Sequence, residues 1–241
     1  MSKRKKILII VASSILAVLI IGFAVLYSNG LSGLHNHKKV KDGQIKVACV
    51  GDSITYGHGI KSWARNNYPA QLQKLLGDEY HVANFGESGR TLSPNGDQPY
   101  WESKQYELSL EYDADILVVM LGTNDSKPEN WTGVDDFVKH YNDLIESYIE
   151  VNPEMRVIIC TPAKSFFSGN KSEGTTNFDI QPNIVSEIRN AVRLFGLTQN
   201  FEVIDVYDLT ENHREWFESD NVHPSNDGAR AIAQLVADKI K

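Results

Sequence analysis

Five short runs rich in β-branched residues, IKVACV, YHVANF, DILVVML, MRVIIC and FEVIDV, recur between residues 45 and 206 and leave the chain few ways to fold. Each has the length of a strand, and stretches of helical spacing lie between them. The clearest helical stretch is Val134–Val151, where Phe137, Tyr141, Leu144, Ile145, Tyr148 and Ile149 fall on one face before Pro153 ends the pattern. Such alternation predicts a mostly parallel sheet with helices on both faces, because parallel neighbours need a crossover and bury both of their sides. Open sheets of this kind place their sites beyond the carboxyl ends of the strands. The polar motifs GDSIT, NFGESG and GTND each directly follow one of the runs, so all three are expected on one rim.

The first 44 residues differ from the rest. Residues 7–27 carry no charged side chain and follow Lys3, Arg4, Lys5 and Lys6. A run of that length spans a bilayer as a helix, and the basic cluster keeps its end in the cytoplasm. Residues 1–29 are therefore expected to be a cytoplasmic tail and single-pass membrane anchor, 30–44 a flexible stalk, and 45–241 one domain outside the cell. Secretion after cleavage of a signal peptide is the rival, although its apolar stretch is normally shorter and no A-x-A site follows. His35 and His37 are expected to be solvated stalk residues.

Residues 45–241 hold 17 Lys/Arg against 30 Asp/Glu. So acidic a domain argues against nucleic acid as a partner, since phosphate recognition needs clustered cations. Cys49 and Cys160 lie inside apolar runs without zinc or redox spacing, the setting of small buried hydrophobes. His58, His81, His140 and His213 are scattered without ligand spacing and are expected on the surface or in packing. That scarcity of ligands excludes a metallophosphoesterase, which needs several His and Asp ligands per metal pair. Asp205 and Asp208 read as strand-end and turn residues.

Ser53, in Val50-Gly51-Asp52-Ser53-Ile54-Thr55, stands just past a strand where a helix can begin. It is a candidate nucleophile, although a serine there is often only a cap or turn residue. Asp220 and His223, in DNVHP, are three residues apart before a helical pattern over Asn226–Ile240, so one loop can present both. Pro224 holds His223 extended, and a carboxylate on one ring nitrogen leaves the other free to accept a proton. A helix-capping loop with an incidental histidine would look the same. Gly89 and the Ser53 N–H are candidate backbone donors to an oxyanion, and Asn124 a candidate side-chain donor. Turn glycines and an Asx turn are the structural reading of those motifs.

Taken in order, GDSIT, the glycine of NFGESG, the asparagine of GTND and the D-x-x-H of DNVHP resemble the four blocks of the SGNH (GDSL-like) hydrolase family over residues 45–241. The resemblance implies a flavodoxin-like three-layer α/β/α sandwich around a five-strand parallel sheet. It implies Ser53, His223 and Asp220 as a catalytic triad, Ser53, Gly89 and Asn124 as the oxyanion hole, and no metal or organic cofactor. GTNDSKPENW and GDQPYWESKQY look like the subgroup that removes acetyl groups from carbohydrate, which makes Tyr100, Trp101 and Trp131 candidates for a sugar platform. The expectation is a serine esterase acting on small-molecule or glycan esters. A thioesterase or lysophospholipase with the same triad, or a glycan-binding surface protein without turnover, is the alternative. The polar, Gly-containing segment 168–177 is expected to be a mobile loop over the site.

Overall fold

A computed structural model describes Lys5 and residues 13–22, 39–167 and 178–241. The 7–27 run is thus described only over 13–22, which is helical, while His35, His37 and the segment 168–177 lie outside the described residues. Among the described residues no helix is long and apolar enough to cross a membrane.

The domain holds strands β1 (Ile45–Gly51), β2 (Tyr80–Gly86), β3 (Ile116–Met120), β4 (Arg156–Cys160) and β5 (Glu202–Ile204). Its helices are α1 (Ser53–Tyr56), α2 (Trp63–Asn66), α3 (Tyr68–Leu76), α4 (Lys104–Glu111), α5 (Val134–Val151), α6 (Pro182–Gln199), α7 (Val206–Thr210) and α8 (Asn226–Ile240). All strand pairs are parallel in the order β2-β1-β3-β4-β5, so the chain crosses from one side of β1 to the other after β2.

Alternation along the strands divides the core. Val47, Cys49, Val118, Met120 and Ile158 face one way and pack on Tyr68 and Leu72 of α3 and Ile232 and Val236 of α8. Ala48, Val50, Leu117, Val119 and Ile159 face the other way, against Phe137, Tyr141 and Leu144 of α5 and Ile188 and Val192 of α6. The result is three layers, helix, sheet and helix, with the helical stretch Val134–Val151 as the spacing predicts.

Both cysteines are buried and unpaired, on β1 and β4, which β3 separates. Burial pushes the Cys49 thiol up to about 12 and raises Cys160 further, so both behave as apolar filler. Asp205 ends β5 and caps α7 by accepting the Asp208 N–H at 3.1 Å, with Arg189 paired to it at 2.9 Å. Arg156 closes the far edge: its guanidinium reaches both oxygens of Glu202 at 2.6 and 3.0 Å and donates to the Ile240 carbonyl at 2.9 Å. Strands β4 and β5 are thereby tied to the end of α8.

Candidate active site

The carboxyl ends of β1, β2 and β3 meet because two glycines let the chain pass. A side chain at Gly51 would begin 2.5 Å from the Met120 carbonyl, and one at Gly86 would begin 2.2 Å from the Tyr56 amide. Glycine is what permits α1 to turn back directly over the strand ends. Asp52 starts that helix, its side chain accepting the Ile54 N–H at 2.9 Å, and Ser53 follows as the first helical residue, 6% exposed.

His223 arrives from the opposite end of the sequence, on the loop before α8. Its Nε2 lies 2.9 Å from Ser53 Oγ, and its Nδ1 lies 2.7 Å from Asp220 Oδ2. Asp220 Oδ1 accepts the backbone N–H groups of Val222 and His223, both at 2.9 Å. This fold-back needs a left-handed residue, and Asn221 supplies it at φ +69°. The loop is pinned outside as well, since the His223 carbonyl accepts the Glu218 N–H at 2.8 Å and the Asn221 carbonyl accepts the Phe166 N–H at 2.9 Å. Burial works to raise the Asp220 carboxyl, but hydrogen bonds from the His223 ring and from the two amides outweigh it and hold the group down at about 2. Asp220 is therefore an anion at neutral pH, aimed at the imidazole.

The loops after β2 and β3 carry Gly89 and Asn124. Gly89 is left-handed at φ +83°. Asn124 donates one amide hydrogen to the Arg90 carbonyl at 3.0 Å, which fixes the amide and leaves its second hydrogen for another acceptor. Asp125 welds the two loops by accepting the Leu92 and Ser93 amides at 2.9 and 2.8 Å. Burial pushes Asp125 up to about 6, with the nearby Asp52 charge acting in the same direction, and burial pushes Asp52 up to about 6 as well.

Ser53, Gly89, Asn124 and His223 border one cavity of about 270 Å³. Ser88, Gln98 and Lys127 line it beside Gly89 and Asn124, whereas His58, Phe178, Ile180 and Val222 line it beside His223. Lys127 brings no free charge, because it is paired with Asp97 at 3.0 Å. Five residues singled out from sequence, 53, 89, 124, 220 and 223, are thus brought together at one rim.

The three aromatics expected as a sugar platform are placed elsewhere. Tyr100 is fully buried and donates its hydroxyl to the Phe85 carbonyl at 2.7 Å. Trp101 donates its indole N–H to the Leu92 carbonyl at 2.7 Å, Trp131 packs against Phe137, and none of the three lines the cavity. His58, expected to be a surface or packing residue, is instead a wall of the cavity, its ring centroid 4.6 Å from that of His223. The signal for it was its position five residues after Ser53, one short turn beyond the nucleophile's helix. Phe178 carried no signal, since nothing around it in sequence sets it apart.

Residues 49–231 match the model of the GDSL-like lipase/acylhydrolase family. The chain is 33% identical over 221 residues to an acetylxylan esterase of Xylanibacter ruminicola, an alignment that covers 83% of this chain and 44% of that protein. The chain therefore spans less than half the length of this curated relative. Among solved structures it is similar to a carbohydrate acetylesterase from Sinorhizobium meliloti, with a TM-score of 0.68 and 19% identity over 82% of this chain and 98% of the other. It is also similar to the aryl esterase of M. smegmatis, with a TM-score of 0.67 and 16% identity over 81% and 98% of the two chains. At such identities these two likenesses concern the fold.

Proposed function

The chain belongs to the GDSL-like lipase/acylhydrolase family, and on that premise we propose that it is a serine esterase that removes acyl groups, acetyl above all, from carbohydrate. The observation that carries the reading is the unbroken hydrogen-bonded run from Asp220 through His223 to Ser53, opening into the cavity that Gly89 and Asn124 share.

Ser53 Oγ attacks the ester carbonyl carbon while its proton passes to His223 Nε2. Asp220 keeps the other ring nitrogen protonated and stabilises the imidazolium that forms. Negative charge on the carbonyl oxygen is met by the N–H groups of Ser53 and Gly89 and by the Asn124 amide. Collapse breaks the bond to the alcohol, whose oxygen takes the proton back from Nε2. Water then attacks the acyl-enzyme with His223 as base and releases the acid.

Two things support an acetyl ester of a sugar. An acetylxylan esterase is a curated relative by sequence, and the cavity wall of Ser88, Gln98 and paired Lys127 is polar and without net charge, which suits a neutral hydroxylated substrate. Ser53→Ala is expected to lower turnover of an aryl acetate on the order of 10⁵-fold or more while leaving the fold intact. Full activity in that variant would refute the assignment. A preference for acyl chains of about eight carbons or more over acetate would favour the thioesterase or lysophospholipase reading. Failure of a fluorophosphonate to label Ser53 in folded protein would favour a binding protein without turnover.

We propose further that residues 7–27 anchor the chain in the cell membrane, with the basic cluster at Lys3–Lys6 inside and residues 45–241 outside. The charge-free run of that length supports this, as does the helical conformation over 13–22.

A further inference from the structure

We infer that His58 and Phe178 form the subsite for the leaving alcohol, and that the alcohol they fit is a pyranose with a free hydroxyl next to the ester. The inference rests on the esterase reading and extends it to the other half of the substrate.

Chemistry divides the cavity. The carbonyl oxygen must point at Gly89 and Asn124, on the loops after β2 and β3. The leaving oxygen must collect its proton from His223 Nε2, so the alcohol departs past the imidazole. Whatever stands beside that ring meets the alcohol and not the acyl group. The rings that stand there are His58, at 4.6 Å between centroids and tilted 47°, and Phe178, at 5.2 Å and edge-on at 83°. They also meet each other edge-on at 6.4 Å, so the three rings form one corner of the cavity.

Neither side chain is accounted for by the core. Phe178 is 44% exposed at the cavity rim, which is costly for an aromatic that only packs. Its ring offers an apolar surface to the C–H face of a sugar. His58 is held by its backbone, whose N–H donates to the Ser53 carbonyl at 2.9 Å, yet among the described residues its ring makes no hydrogen bond. The backbone of His58 is thus fixed relative to the nucleophile, and the ring nitrogens are unspent. Burial, and then the neighbouring His223, disfavour its protonation, which leaves one donor and one acceptor, the complement of a hydroxyl. An uncharged corner of this kind has nothing to offer a phosphorylated or carboxylated alcohol.

The test compares two acetate esters on the full-length protein, a mono-O-acetylated methyl xylopyranoside and ethyl acetate, and reads the ratio of their kcat/KM values. Because both esters report on one preparation, loss of folded protein cancels from that ratio. His58→Ala and Phe178→Ala are each expected to lower the ratio about tenfold, the scale of one lost hydrogen bond or one lost ring contact. His58→Gln, which keeps a donor and an acceptor, is expected to restore it to within about threefold of wild type. A ratio unchanged within about twofold in both alanine variants overturns the subsite. So do equal losses on the two esters, which would mean that His58 acts only through the His223 ring. Wild-type protein that cleaves ethyl acetate but not the sugar ester overturns the pyranose, whereas protein that cleaves neither and leaves Ser53 unlabelled overturns the esterase reading itself.

Discussion

At the scale of single residues, the site works by burying polar groups and then giving each a specific partner. Asp220 and Asp52 show the two outcomes. Asp220 is only half-buried, has the imidazole and two amides around it and is held at about 2, whereas Asp52 is fully buried, so that desolvation outweighs the hydrogen bonds it accepts and pushes it up to about 6. The signs differ accordingly. Asp220 stabilises the fold above its unfolded value near pH 4, and that contribution is lost as pH falls toward 2. Asp52 is raised in the folded state, so its contribution is present below about pH 4 and lost as pH rises through about 6. Asp52→Asn keeps an oxygen to cap α1 but removes the buried charge. It is therefore expected to stabilise the protein at pH 8 by about 1–3 kcal/mol, with the gain shrinking to nothing near pH 4. Urea midpoints at the two pH values check this, and a gain that is the same at both would remove burial of the charge as its cause.

At the scale of elements, the site exists because α1 lies across the ends of β1 and β2, closer than any side chain would permit. Gly86→Ala would drive a methyl group into the Tyr56 amide, a backbone atom that cannot swing aside. The expected result is a loss of about 2–3 kcal/mol in unfolding free energy together with lower turnover, because Ser53 sits at the start of that helix. Gly77→Ala serves as the comparison, since nothing lies within 4 Å of its added carbon, although its positive φ of +82° brings a smaller strain of its own. A loss in Gly86→Ala no larger than the strain cost seen in Gly77→Ala would remove the close approach as the reason for glycine at 86. Helices α5 and α8 were legible from spacing alone, because each buries one face against the sheet and that face prints a 3.6-residue period into the sequence. The one-turn helix α1 prints no period, and only its Asp-Ser start marked it.

At the scale of the whole molecule, the acidic domain and the N-terminal segment, a basic cluster followed by a charge-free run, ask for different surroundings. Full-length protein is expected to sediment with membranes and to be released by detergent but not by high salt, since an apolar helix resists salt where surface charge does not. Recovery of intact full-length protein in the soluble fraction would discard the anchor. The sequence by itself determined the five strands, the parallel sheet with helices on both faces and the family, because strand alternation, helical spacing and the four motif blocks are local patterns that survive without coordinates. It also supplied the five residues that meet at the rim, since a strand that ends in GDSIT or GTND must deliver those groups to the same edge. What only the tertiary structure decided is which side chains share the cavity with them. Tyr100, Trp101 and Trp131 are as aromatic as Phe178, yet Tyr100 is buried in the core and the two tryptophans pack half-buried against it, while Phe178 stands at the rim. In the sequence His58 differs from His81 or His213 only in its place five residues after Ser53. Orientation is fixed by contacts between segments far apart in the chain, such as the 170 residues separating Ser53 from His223, and no local pattern encodes those contacts.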